Sequence, residues 1–246
     1  MSAPAAPTQR ILAQTRFEAM TILRNGEQFL VSIILPLMAM LALTYSPFPD
    51  LDEPRIDVVA PGVLALAVVS IAFTGQAIAT AFDRRYGVLR LLGITPLGRG
   101  GLIVGKALAV LFFYGLQVLV LGGVALALGW RPLPAGLLPL AVTLVLGVLC
   151  FVALALLVAG TMRAEAVLAV ANLLWVVFLG LGLIIPTTTL PEGVGAVAAW
   201  VPSGLLGDAA REAAIDGSWP WPAWVILALW ATGAGLLARR TFRWSD

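Results

Sequence analysis

The chain has 246 residues, 61% of them hydrophobic and 11% charged, with a mean hydropathy of +1.00 and a formal net charge of +2. That balance is far from a soluble globular domain and too neutral for a nucleic-acid surface. A lone Cys150 inside an apolar run excludes a disulfide framework or a thiolate metal site, and the lack of histidine removes the commonest general base and metal ligand.

Met1–Pro7 has no basic region leading into an apolar one, so it reads as a short disordered lead-in and not as a cleavable signal. Thr8–Gln28 is helical by pattern. Gln14, Glu18, Thr21 and Asn25 make one polar stripe, while Leu12, Ala13, Phe17, Ala19, Met20 and Leu23 cover much of the rest. Arg16 and Arg24 can snorkel toward lipid phosphates. Two readings stand side by side: a plain interfacial anchor, or an elbow helix in the inner leaflet that touches a cytosolic partner.

A helix crossing about 30 Å of hydrocarbon needs roughly 20 apolar residues. Six stretches qualify as expected spans: Phe29–Tyr45, Val58–Phe82, Leu102–Leu128, Leu137–Gly160, Ala166–Ile185 and Trp221–Ala238. The first is short and holds Pro36, tolerated as a kink in a packed membrane helix. The expected fold is therefore an all-α, single transmembrane domain over residues 1–246.

Orientation follows from the basic residues of the connections. One side holds Arg10, Arg16, Arg24, Arg84, Arg85, Arg90, Arg99, Lys106, Arg163, Arg239, Arg240 and Arg243. The other holds Arg55, Arg131 and Arg211 with most of the acids: Asp50, Asp52, Glu53, Asp57, Glu192, Asp208, Glu212 and Asp216. Both termini are expected in the cytoplasm. Trp130, Trp200, Trp219, Trp221 and Trp224 fall near the outer boundary, as an aromatic belt does.

The second connection, 83–101, is strongly basic, yet it carries Leu89, Leu91, Leu92 and Ile94, which a loop serving topology alone does not need. Its leucines and arginines can take different sides of a short helix before Thr95-Pro96 turns the chain. On the basic face of a membrane protein, such an element offers a handle to something soluble.

The last outer connection, Pro186–Pro220, contains Thr187-Thr188-Thr189, Leu190-Pro191, an apolar Val194–Val201 piece, Pro202-Ser203-Gly204 and a charged helix through Asp208, Arg211 and Glu212. A pair of half-buried or re-entrant helices fits it, and a surface helix on the outer leaflet is the simpler alternative. The span interiors carry almost no charge. Lys106 and Asp57 lie at span ends, where they can reach headgroups, and Thr74, Gln76, Gln117, Thr143 and Asn172 read as helix–helix hydrogen-bond contacts. Proton- or sodium-coupled transport therefore finds little support.

Gly100-Gly101-Leu102-Ile103-Val104-Gly105-Lys106-Ala107 departs from a phosphate-binding loop at Ala107, where the magnesium-binding hydroxyl should stand, and it runs into a span. The chain is not expected to bind ATP itself, nor any cofactor or metal.

Taken in order, these elements resemble the permease subunit of the type-2 exporter branch of the ATP-binding-cassette (ABC) superfamily, the drug, polysaccharide and lipid exporter group. The resemblance rests on Asp83-Arg84, Gly87, Leu89 with Leu91-Leu92, Thr95-Pro96-Leu97, Arg99 and Gly105-Lys106 in the second connection. It rests also on Leu190-Pro191, Pro202, Leu205-Leu206, Asp208 and Arg211 outside, on Arg24-Asn25 before span one, and on Arg163-Ala164-Glu165 before span five. One departure is Arg85, where the family commonly has a second acid.

The resemblance implies a non-catalytic, six-helix half-transporter in a bacterial inner membrane. It would pair with a second permease, identical or related, and with two cytosolic ATPase subunits that bind the ATP and magnesium. Residues 8–28 would be the connecting helix and 83–101 the coupling segment. ATPase docking would fall to Arg84, Arg85, Tyr86, Leu89, Arg90, Leu92, Thr95 and Pro96, with a secondary contact at Arg16, Arg163 and Glu165. Tyr86, Leu89 and Leu92 would insert into a groove whose rim acids meet the arginines. Arg supplies every basic residue except Lys106, and Ala and Gly are abundant, which points to a GC-rich bacterial genome.

Two rivals belong to other classes. An intramembrane lipid enzyme would need convergent acids, histidine or a metal site, and none is legible. A secondary carrier or channel remains the alternative, although carriers often show internal repeats and none is evident between the first and last three spans.

Overall fold

The computed structural model describes residues 5–47 and 54–241, without the side chains of residues 27–31 and of Arg99. Outside it lie most of the lead-in, the acids Asp50, Asp52 and Glu53, and Arg243. Every regular element among the described residues is helical. Pro7 opens α1 (Pro7–Arg24), where its fixed φ suits a first helical turn and its missing N–H costs nothing. The helix stops at Asn25 (φ −83°, ψ 77°), so the expected single helix over 8–28 is two: α2 (Gly26–Tyr45) starts at once and carries Pro36.

The core is built around one rod. Helix α3 (Arg55–Val68) passes through a π-helical stretch, Val69–Gly75, into α4 (Gln76–Arg85) without a break. In this rod 89% of the apolar window is buried, against 28–50% in the other membrane-length helices. At 1.5 Å per residue its 31 residues extend about 46 Å, well beyond a hydrocarbon core of about 30 Å, so its ends project from the apolar slab. Phe73 of the π stretch packs edge-on against Phe151 (6.2 Å) and Phe178 (5.4 Å), which also meet each other at 5.5 Å.

A short helix, α5 (Val88–Gly93), follows the rod, and α6 (Gly98–Ala127), α7 (Leu137–Thr161) and α8 (Ala164–Phe178) return across the molecule. Of the 83–101 segment only Val88–Gly93 is a separate helix; Asp83–Arg85 finish α4 and Gly98 opens α6. Helix α8 runs into a distorted turn and breaks at Leu181 (φ −99°, ψ 52°) and Gly182, whose φ of 81° falls in the region glycine alone enters without strain.

Beyond the break come α9 (Glu192–Ala198), α10 (Pro202–Arg211) and finally α11 (Trp221–Thr241). Helix α10 is buried over nearly its whole length, against α3, α7 and the end of α8. The apolar Val194–Val201 piece before it is by contrast largely exposed, with Val197 and Trp200 61% and 66% exposed.

Among the described residues five helices are long and apolar enough to cross a membrane: Arg55–Arg85, Gly100–Ala127, Pro134–Thr161, Ala164–Leu183 and Trp221–Thr241. The stretch Ser32–Tyr45 of α2 is apolar but shorter.

Candidate functional site

At the end of the rod the chain makes a tight turn. Gly87 (φ 78°) sits in the left-handed region and lets α5 start directly after Tyr86. Thr95 then folds its hydroxyl back onto the Leu92 carbonyl (2.6 Å) before Pro96. This element holds most of the residues the sequence singled out, but it divides them into two groups.

One group anchors the turn. Leu89 is fully buried and Arg84 is 4% exposed. The Arg84 guanidinium donates to the Ala159 carbonyl (2.7 Å) and to the Met162 carbonyl, capping the end of α7. Neither side chain faces outward: an apolar residue on the inner face of so short a helix has the bundle beneath it. Leu92 is half-buried on that same face.

The other group is exposed. Tyr86, Leu91 and Ile94 are 73%, 67% and 84% exposed, with Arg90, Thr95 and Pro96 around them. Arg85 is ion-paired with Glu165, in the first turn of α8. The principal and secondary contacts expected from sequence therefore adjoin in space, with Arg163 exposed just before α8. Arg16 is exposed on α1, and Arg10 donates to the Pro96 carbonyl.

Helix α1 lies along α6 with the first half of its polar stripe turned inward, while Thr21 and Asn25 stay exposed. Gln14 is buried and donates to Glu18 (2.8 Å), whereas Leu12, Phe17 and Met20 are at least half exposed. The reason is Lys106. It is 1% exposed and does not reach the headgroups; its ammonium meets Glu18 Oε1 at 2.8 Å and Asp83 Oδ2 at 3.1 Å. A buried ammonium is tolerable only when paired and hydrogen-bonded, and α1 and α4 each supply a carboxylate. Single-sequence reading missed this cluster because three residues 23 to 88 positions apart carry no shared spacing.

A cavity of about 570 Å³ opens among α2, the π stretch, α4 and α8. Ser32, Ser70, Thr74, Asn172 and Trp175 bring polar atoms to walls that include Leu35, Ile71 and Ile78, and among the described residues no charged one lines it. Trp175 Nε1 donates to Ser70 Oγ (3.0 Å), while the buried hydroxyl of Thr74 has no partner among the described residues. Of the five expected helix–helix polar contacts, two bridge helices: Gln117 donates to the Ser32 carbonyl (2.8 Å), and Thr143 accepts from Trp224 Nε1 (2.8 Å). Gln76 and Asn172 bond within their own helices.

On the opposite side Arg211 closes the broken end of α8. It donates to the carbonyls of Gly182, Leu183, Ile184 and Ile185 at 2.8–3.2 Å and pairs with Asp208 at 2.6 Å. Asp208 in turn accepts from the amide and hydroxyl of Thr187 (3.2 and 2.5 Å). Burial pulls the guanidinium below its usual range, while the charge of Asp208 and the hydrogen bond to it act oppositely. Asp57, at the start of α3, accepts from the Arg131 amide (3.2 Å).

A family model described as ABC-2 type transporter matches residues 9–214. No curated protein matches the chain.

Proposed function

The chain belongs to the ABC-2 type transporter family, and from that premise we propose that it is the membrane-spanning permease subunit of an ATP-driven exporter, moving a hydrophobic or amphipathic substrate outward with energy from a separate ATPase. In this reading α2 completes a six-span transmembrane domain, both termini are cytoplasmic, and the chain pairs with a second permease in a bacterial inner membrane. ATP and magnesium belong to the partner ATPase.

One observation carries the reading: Tyr86, Leu91 and Ile94 stand exposed on a turn whose other side is fixed by buried Leu89 and Arg84. Large apolar side chains on a rigid, basic element are the anchor type that enters a partner's groove. The docking set is accordingly Arg85, Tyr86, Arg90, Leu91 and Ile94, with Thr95, Pro96, Arg163 and Glu165 at its margin and Arg16 on the neighbouring helix. Leu92 contributes its exposed edge.

The cavity, with no charge among its described lining residues, supports the substrate class. Its volume suits a drug-sized molecule, and mixed apolar and hydrogen-bonding walls suit an amphiphile without a formal charge at that depth. Co-expression with the ATPase encoded beside it tests the proposal. Wild type should retain the ATPase through purification, and Leu91→Asp/Ile94→Asp should lose it while remaining folded. A folded wild-type chain that never holds an ATPase overturns the reading in favour of a carrier or channel.

A further inference from the structure

A second cavity, of about 190 Å³, lies beneath α1 and shares Asn25, Ile71, Gly75 and Ala79 with the larger one, so the two form one trough. Phe17, Glu18, Thr21 and Ile22 of α1 wall its far end, opposite Asp83. The same Glu18 and Asp83 hold Lys106. The ion cluster therefore forms part of the wall that ends the trough.

Helix α1 is fastened at two places, both tied to the docking turn. Its start is held by Arg10 on the Pro96 carbonyl, just after α5, and its middle by Lys106, whose other partner, Asp83, stands three residues before Tyr86. Between these points α1 packs closely on α6: a β-carbon added at Gly105 would lie 2.8 Å from Gln14 Cγ. Among the described residues the outward side of α1, with Leu12 and Met20 exposed, has no such fastening. A shift of the turn thus acts on α1 through two polar links, and a shift of α1 changes the wall of the trough.

We propose that Lys106 is a positioning residue for transport: by holding Glu18 and Asp83 together it seats α1 as the closure of the trough's inner end, and it ties that closure to the docking turn. The link to transport rests on the function proposed above; the seating of α1 does not. Loss of the ammonium leaves two carboxylates facing each other, and their repulsion favours the lifted state of α1. A two-state closure answers such a bias by a change in population.

The test uses the full chain in lipid nanodiscs, without an ATPase, on a Cys150→Ala background with Ile71→Cys as reporter. Ile71 lines both cavities and is 2% exposed, so its thiol reacts with a water-soluble maleimide chiefly when the trough opens. Lys106→Met should raise the labelling rate about tenfold, the response to a tenfold larger open population. The charge exchange Glu18→Lys/Lys106→Glu should return it toward wild type, which a loss of packing alone would not do. Unchanged labelling in a folded Lys106→Met protein overturns the proposal, as does an exchange variant that labels as fast as Lys106→Met. Where Lys106→Met does not fold, Glu18→Gln decides by the same rate. With the ATPase present, the lifted variants should bind it yet lose substrate-stimulated hydrolysis. A wild-type chain that binds no ATPase would sink the functional reading while leaving the labelling result to judge the seat of α1.

Discussion

Asp208 and Arg211 stand three residues apart on α10 and meet at 2.6 Å directly over the broken end of α8. Breaking a helix frees backbone carbonyls, and in an interior without water each must find a donor. Arg211 serves four of them with its two terminal nitrogens, and Asp208 orients it while also holding Thr187 on the far side of the break. The pair explains why a charged helix can pack inside an apolar bundle.

Replacing Arg211 by Met should therefore be among the most damaging single changes in the chain. It strands the carbonyls of residues 182–185 and leaves Asp208 without its cation, a loss of about 3–5 kcal/mol. Thermal unfolding in detergent should show a large fall for Arg211→Met. Asp208→Asn, which can still accept from Thr187, should cost less, about 1–3 kcal/mol. Equal small shifts for both would contradict the clamp.

The two faces of α5 give opposite expectations. Leu89→Ala empties a fully buried site and should cost about 2–5 kcal/mol of stability. Leu91→Ala and Ile94→Ala touch exposed positions and should stay within about 0.5 kcal/mol of wild type in melting experiments. Together they should still weaken ATPase affinity by about 2 kcal/mol, close to thirtyfold, in a titration with the purified ATPase. A reversal of these two patterns would mean that the turn docks by its other face.

Two glycines with left-handed backbone should respond unequally to alanine. At Gly87 an added β-carbon meets nothing within 4 Å, so the cost is the conformational one, about 1–2 kcal/mol. At Gly182 that same strain is joined by a collision with Thr187 Cγ2. Gly182→Ala should thus melt lower than Gly87→Ala, and similar melting points would argue against the tight approach of Thr187 to the broken helix.

In the large cavity, Thr74→Val removes a hydroxyl that has no partner among the described residues, and Trp175→Phe removes the donor on Ser70. Both should fold as wild type. Each should raise the concentration of an uncharged amphiphile needed for half-maximal stimulation of ATP hydrolysis, by about five- to tenfold, one hydrogen bond's worth. A panel of such compounds, assayed with the reconstituted complex, measures it; no change in either variant would move the substrate elsewhere.

Much of this molecule could be read from its residues in order. The apolar runs mark the helices because a helix satisfies its own backbone, so composition and length alone decide what can enter a bilayer. The basic segment with its leucines and the proline-punctuated outer connection were legible for the same reason, since each depends on neighbours along the chain. The docking turn was legible as a place but not as a face. Leu89 with Leu92 and Leu91 with Ile94 have identical spacing, and the sequence offers nothing to choose between them. The bundle beneath α5 makes that choice, burying the first pair's Leu89 and exposing the second pair.

Lys106 marks the same boundary more sharply. Its sequence context is the mouth of a span, where a lysine ordinarily reaches for phosphates. Tertiary structure instead brings Glu18 from 88 residues before it and Asp83 from 23 residues before it to one point, and a buried ammonium with two carboxylates no longer needs water. Local residue order, acting through backbone hydrogen bonding and hydropathy, determined the helical class and the position of the charged turn. The cavity, the clamp at Arg211 and the pairing of Lys106 were decided only by packing, because desolvation depends on what lies across the contact and not on what lies along the chain.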